Sequence, residues 1–120
     1  MAPEVLQNKT YNGQAVDVFR AGVVLFMMVS RSKAFLTTAK DDAYYTKIRE
    51  NRPSRFWKLH SVGKSYSDDF KRLVTSMLAY DPIYRLSISE IKAHPWYLQP
   101  VPSKDEIEDE FARRTEELMI

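Results

Sequence analysis

The 120-residue sequence contains no cysteine. Disulfides and thiolate-ligated metal are excluded, and the absence fits a reducing, cytoplasmic setting. No charge of one sign dominates: eighteen Lys and Arg stand against sixteen Asp and Glu, interspersed along the chain. That balance gives no support for nucleic acid or an anionic membrane as a partner. The longest apolar stretch, Val23 to Val29, is far short of a bilayer crossing and is flanked by Arg20 and Arg31, so no transmembrane helix is expected. The first six residues have no basic region leading into an apolar run, so no secretory signal is expected among them. Neither an internal repeat nor an alternating strand pattern is visible.

What is present reads as helices joined by turns. Tyr11-Asn12-Gly13-Gln14 is turn-like, and Ala15 to Val29 is apolar on nearly all sides save Asp17 and Arg20. Such a helix is expected to be buried. Ser30 to Lys40 reads as a loop, and Asp41-Asp42 stand where a helix N-terminus favours acids, with Tyr44, Tyr45 and Ile48 supplying a face. Arg52-Pro53-Ser54 breaks that helix, leaving Phe56-Trp57 as an aromatic anchor under a loop. The neighbouring His60 has no nucleophile or carboxylate constellation around it and is expected to be a packed or surface imidazole.

Ser67 is a plausible N-cap, because Phe70, Leu73, Val74, Met77 and Leu78 recur at offsets of three, four, seven and eight. Asp81-Pro82 should end this helix. Ser87 with Glu90 and Ser103 with Glu106 are capping boxes, each satisfying amides left free at a helix start. The first opens a short helix that stops at His94-Pro95. The second follows a stiff Pro100 and Pro102 spacer and opens a charged helix with a narrow stripe of Ile107, Phe111 and Leu118. Two units are therefore expected, 1–98 and a tail of 99–120.

Three groups of residues carry a resemblance. Ala2-Pro3-Glu4 opens the chain. Asp17-Val18-Phe19-Arg20-Ala21-Gly22-Val23 resembles the protein-kinase pattern Asp-Val-Trp-Ser-x-Gly-Val of the central helix of the larger lobe. Arg85, Ser87, Glu90 and His94-Pro95-Trp96 are spaced like the closing signature of Ser/Thr kinase domains. Over residues 1 to about 98 the chain resembles the C-terminal part of a Ser/Thr protein kinase domain. The resemblance implies an all-α fold, a partial large lobe with a helical tail. Phe56 to His60, Tyr80-Asp81-Pro82 and the tail look most like calcium/calmodulin-type kinases of protists, ciliates above all.

The resemblance also implies roles. Glu4 and Arg85 correspond to a buried ion pair tying the end of the activation segment to the lobe. Asp17 corresponds to an aspartate that accepts catalytic-loop amides, and an unpaired carboxylate in an apolar helix would be costly. Gly22 would allow close backbone approach. Ala2, Pro3, Glu4, Asp17, Gly22 and Arg85 are thus structural, and Tyr44, Tyr45 and Ile48 form a candidate protein-docking face, with one tyrosine packed and the other available. The family's ATP- and magnesium-binding motifs lie N-terminal to Ala-Pro-Glu, so no catalytic, cofactor or metal residue is assigned here; ATP and magnesium belong to a longer parent. Protein substrates or regulators are the expected partners. The alternative is a non-catalytic, kinase-like interaction module.

Overall fold

The computed structural model describes residues 1–119. Among them every regular element is helical: α1 (Pro3–Leu6), α2 (Gly13–Ser30), α3 (Tyr45–Arg49), α4 (Pro53–His60), α5 (Asp68–Met77), a 3-10 turn (Pro82–Tyr84), α6 (Ile88–Lys92) and α7 (Lys104–Leu118).

Asn12 starts α2 by accepting the Ala15 N–H at 3.1 Å, and the chain leaves it through Arg31 at φ 62°, whose N–H returns to the Met27 carbonyl at 2.8 Å. A left-handed residue at this point closes the helix end, although glycine is the usual occupant. The helix is amphipathic only in three dimensions. Val16, Val18, Phe19, Gly22 and Phe26 are buried, whereas Val24, Met27, Met28 and Val29 are exposed. The expected burial therefore holds for one face only, because α5, the Phe35 and Tyr45 rings and residues 53–60 cover that face and nothing among the described residues covers the other. At 18 residues and mean hydropathy 1.4, α2 is also long and apolar enough by length and composition to cross a membrane. The seven-residue run had suggested otherwise; the window reaches this value by including the whole helix. Its packed face is that of a core helix.

Ser67 caps α5 through the Phe70 N–H at 3.2 Å, and Phe70, Leu73, Val74 and Met77 turn inward against α2. Each such side chain contributes about 1.5–3 kcal/mol when fully buried. Where α2 and α5 meet, Gly22 leaves no room for a side chain: a Cβ there would lie 2.9 Å from the Met77 Cβ and 3.2 Å from the Leu78 Cδ2. The helix stops at Met77, four residues before Asp81-Pro82, and the proline instead opens the 3-10 turn, with Asp81 accepting the Ile83 N–H at 3.0 Å.

Residues 53–60 form a helix and not a loop. Pro53 occupies its first turn, where a missing N–H costs nothing and a fixed φ is already helical. The Phe56 and Trp57 rings pack 5.9 and 5.6 Å from Phe26, and the Trp57 Nε1–H donates to Thr75 at 2.9 Å. The charged helix α7 carries its capping box at Ser103 and Glu106, yet all of its residues are exposed except the half-covered Glu110.

Candidate functional site

The first turn of the chain is fastened to the body by side chains from three distant segments. Ala2 is wholly buried, and Pro3 begins α1 at the position that suits a proline. Thr38 donates its hydroxyl to the Met1 carbonyl at 3.0 Å, and Gln7 donates to the Tyr80 hydroxyl at 2.8 Å. Between these contacts Glu4 meets Arg85, 81 positions away. The guanidinium gives the carboxylate two parallel bonds, Nη1 to Oε2 at 2.6 Å and Nη2 to Oε1 at 2.8 Å. This fork is geometry that a lysine ammonium lacks.

Arg85 spends its other donors on backbone carbonyls: Nε on Ala79 at 2.8 Å, Nη1 on Ala15 at 3.1 Å, Nη2 on Tyr80 at 3.4 Å. All five N–H groups of the guanidinium are thereby used, and its face lies 4.8 Å from the centre of the Phe19 ring. One side chain joins α1, the start of α2 and the turn that follows α5. Relative exposure of Glu4 is 5% and of Arg85 7%, so the pair is out of water. Burial opposes ionisation of Glu4, but the Arg85 hydrogen bonds, its own backbone N–H and the Arg85 charge outweigh it, leaving the carboxyl below its ordinary range.

Asp17 is placed differently from the expectation of a paired carboxylate. It is exposed on α2 and has no hydrogen-bond or ion-pair partner among the described residues, because it shares the open face of the helix with Ala21, Val24 and Met28 at helical spacing. Solvent therefore meets its charge here. In the expected docking face, Tyr45 and Ile48 are core residues, the Tyr45 hydroxyl donating to the Leu78 carbonyl at 3.2 Å, and only Tyr44 reaches the surface. Tyr44 stacks on His60 at 4.7 Å beside a groove of 540 Å³ that Phe35 and Leu36 also line. His60 bonds to the Ala34 carbonyl at 2.8 Å, and burial holds its pKa below the ordinary value, so it is a packed, neutral imidazole.

Asp42 has a larger role than an acid near a helix start. Its two oxygens accept four backbone N–H groups, those of Leu36 and Thr37 at 3.0 and 3.2 Å and those of Tyr44 and Tyr45 at 3.0 and 2.9 Å. Desolvation resists its ionisation, yet these bonds hold the carboxyl below the ordinary value. The acid pair Asp41-Asp42 was the only signal for it in the sequence. The helix itself starts later than Asp41, at Tyr45. No group of three His, Cys, Asp or Glu that could hold a metal occurs among the described residues.

Residues 1–97 match the family described as protein kinase domain, and the chain belongs to that family. It is 32% identical over 112 residues to the serine/threonine-protein kinase SRK2F of Arabidopsis thaliana, an alignment covering 88% of this chain and 31% of that protein. Identity to the SNF-related serine/threonine-protein kinase of Homo sapiens is 36% over 102 residues, 85% of this chain and 12% of the relative. For the serine/threonine-protein kinase SAPK3 of Oryza sativa subsp. japonica it is 32% over 106 residues, 87% and 30% respectively. The chain spans less than a third of each of these curated relatives. These are plant and mammalian Ser/Thr kinases, and the calcium/calmodulin-type, ciliate-like expectation gains no support from them.

Proposed function

We propose that these residues are the C-terminal helical part of the large lobe of a Ser/Thr protein kinase, whose full-length form transfers the γ-phosphoryl group of ATP, with magnesium, to Ser and Thr of proteins inside the cell. The observation that carries this reading is the Glu4 and Arg85 pair: a bidentate, buried contact between the Ala-Pro-Glu turn and the residue after the Asp-Pro turn. It supports a fixed activation-segment end, which a kinase needs to seat a protein substrate. Exposed Asp17 and the apolar stripe beside it fit a surface that a catalytic loop covers in the whole domain.

The 120 residues alone carry neither ATP binding nor phosphoryl transfer on this reading. The subfamily belongs with SNF-related kinases, supported by the identities above and not by the calcium/calmodulin-like run at Phe56 to His60. Reading the coding sequence upstream of Met1 tests the proposal: an in-frame glycine-rich loop, catalytic-loop aspartate and magnesium-binding motif agree with it, and a start codon at Met1 with untranslated sequence before it overturns it. One observation favours the second reading, an interaction module: Tyr44 is exposed beside the 540 Å³ groove. If Tyr44→Ala in the 120-residue chain leaves its binding to a partner kinase, phosphatase or scaffold unchanged at equal stability, that reading fails.

A further inference from the structure

The charges of this chain are divided between body and tail. Residues 104–118 hold seven acids and three bases, while the remainder holds fifteen bases and nine acids. Within the remainder, residues 52–64 carry Arg52, Arg55, Lys58 and Lys64 without one carboxylate. Arg55 and Lys58 are exposed and make no ion pair among the described residues. They share a face of α4 with Leu59, 46% exposed, and with Val62 just beyond the helix, since offsets of three, four and seven lie on one side.

The matching surface is on α7. Ile107, Phe111 and Leu118 lie on one side of α7, exposed by 43%, 65% and 88%, with Arg114 between the last two, so the apolar patch available for docking is that of Ile107 and Phe111. Glu110 and Glu117 lie along one flank of it, held by Arg113 and Arg114 on the same helix. Glu106, Ile107, Glu110 and Phe111 line a 400 Å³ groove with Pro102 and Arg114. With seven acids against three bases, two α7 helices repel each other as wholes, so a second α7 is a poor partner. A basic, apolar face such as that of α4 is a good one.

We infer that α7 docks on the α4 face of a second copy of this chain, Phe111 and Ile107 against Leu59 and Val62, with the Glu110 flank against Arg55 and Lys58. The exit from the body favours another molecule over its own: the Leu98 and Gln99 N–H groups bond back to His94 and Trp96 at 3.1 and 3.3 Å, and Pro100 and Pro102 then stiffen the spacer that holds α7 away. A two-fold arrangement lets each copy give one α7 and receive one, so both contacts form together. Four such patches bury on the order of 1,000 Å², the lower end for a specific complex, and the dimer is weak and salt-sensitive.

The test is sedimentation equilibrium of the 120-residue chain, in a Val24→Thr, Met28→Gln background that removes the apolar stripe of α2 from the measurement. Arg55→Glu with Lys58→Glu, or Glu110→Lys with Glu117→Lys, should each weaken the dimer at least about tenfold. The four changes together should restore it, and circular dichroism checks that α7 stays helical in each variant. Because the sequence has no cysteine, mixing a Leu59→Cys chain with a Phe111→Cys chain reads the contact directly, and a disulfide between the two chains is expected. A monomer at all concentrations overturns the inference, as does a dimer indifferent to charge reversal. So does a Leu59→Cys, Phe111→Cys double variant that closes its disulfide within one chain while the mixed single variants do not cross-link, which would place α7 on its own α4.

Discussion

Truncating Arg85 to alanine is the most informative single perturbation of this fold. The change removes all five donors of a guanidinium that is 7% exposed, leaving the Glu4 carboxylate buried without its partner and the carbonyls of Ala15, Ala79 and Tyr80 without theirs. Breaking a buried pair by removing one member costs about 3–5 kcal/mol. An exposed pair would lose at most about 1 kcal/mol. Urea unfolding of wild type, Glu4→Gln, Arg85→Met and the double variant separates the pairwise term from the rest, and a coupling of about 1–3 kcal/mol is expected. Arg85→Lys should recover little, because an ammonium cannot form the fork. The pair also has a pH signature. Glu4 titrates below its ordinary value of 4.5 when folded, so its contribution is complete above pH 4.5 and is lost as pH falls through the lower folded value. Additive losses, or a cost under about 1 kcal/mol for Arg85→Ala, would mean that the two side chains are not a coupled buried pair.

Other consequences follow from single sites. Gly22→Ala should destabilise by about 1–3 kcal/mol despite alanine's better helix propensity, because the new methyl meets the Met77 Cβ at 2.9 Å; a raised melting temperature would contradict the close approach. Asp42→Ala should speed amide hydrogen exchange at Leu36, Thr37, Tyr44 and Tyr45 together, since one carboxylate serves all four. Burial lowers the His60 pKa below 6.5; stability should therefore fall as pH drops below 6.5, and an NMR titration midpoint at or above that value would show that the ring is not desolvated.

The parts of the fold legible in the sequence are those governed by neighbours along the chain. Ser67, Ser87 and Ser103 cap helices through bonds three residues away, and each was readable from spacing alone. The inward face of α5 was equally readable, because its apolar residues are separated by polar ones. In α2 nearly every residue is apolar, so periodicity could not tell the face on α5 from the open face that carries Asp17. Pro53 suggested a break because proline disrupts a helix interior, whereas at the first turn it begins one. The Glu4 and Arg85 pair was legible only through resemblance to kinases, since no local rule joins residues 81 positions apart. The four bonds of Asp42 depend on a loop closing over it, and the composition of residues 30–40 carries no such information.

Kinase activity is read most directly as phosphoryl transfer by the full-length parent, followed by phosphoamino-acid analysis of a protein substrate. Magnesium-dependent incorporation on serine and threonine by the parent is expected, together with no saturable Mg-ATP binding by the 120-residue chain in calorimetry. Absence of transfer from the folded parent, or saturable Mg-ATP binding by these 120 residues alone, would contradict it.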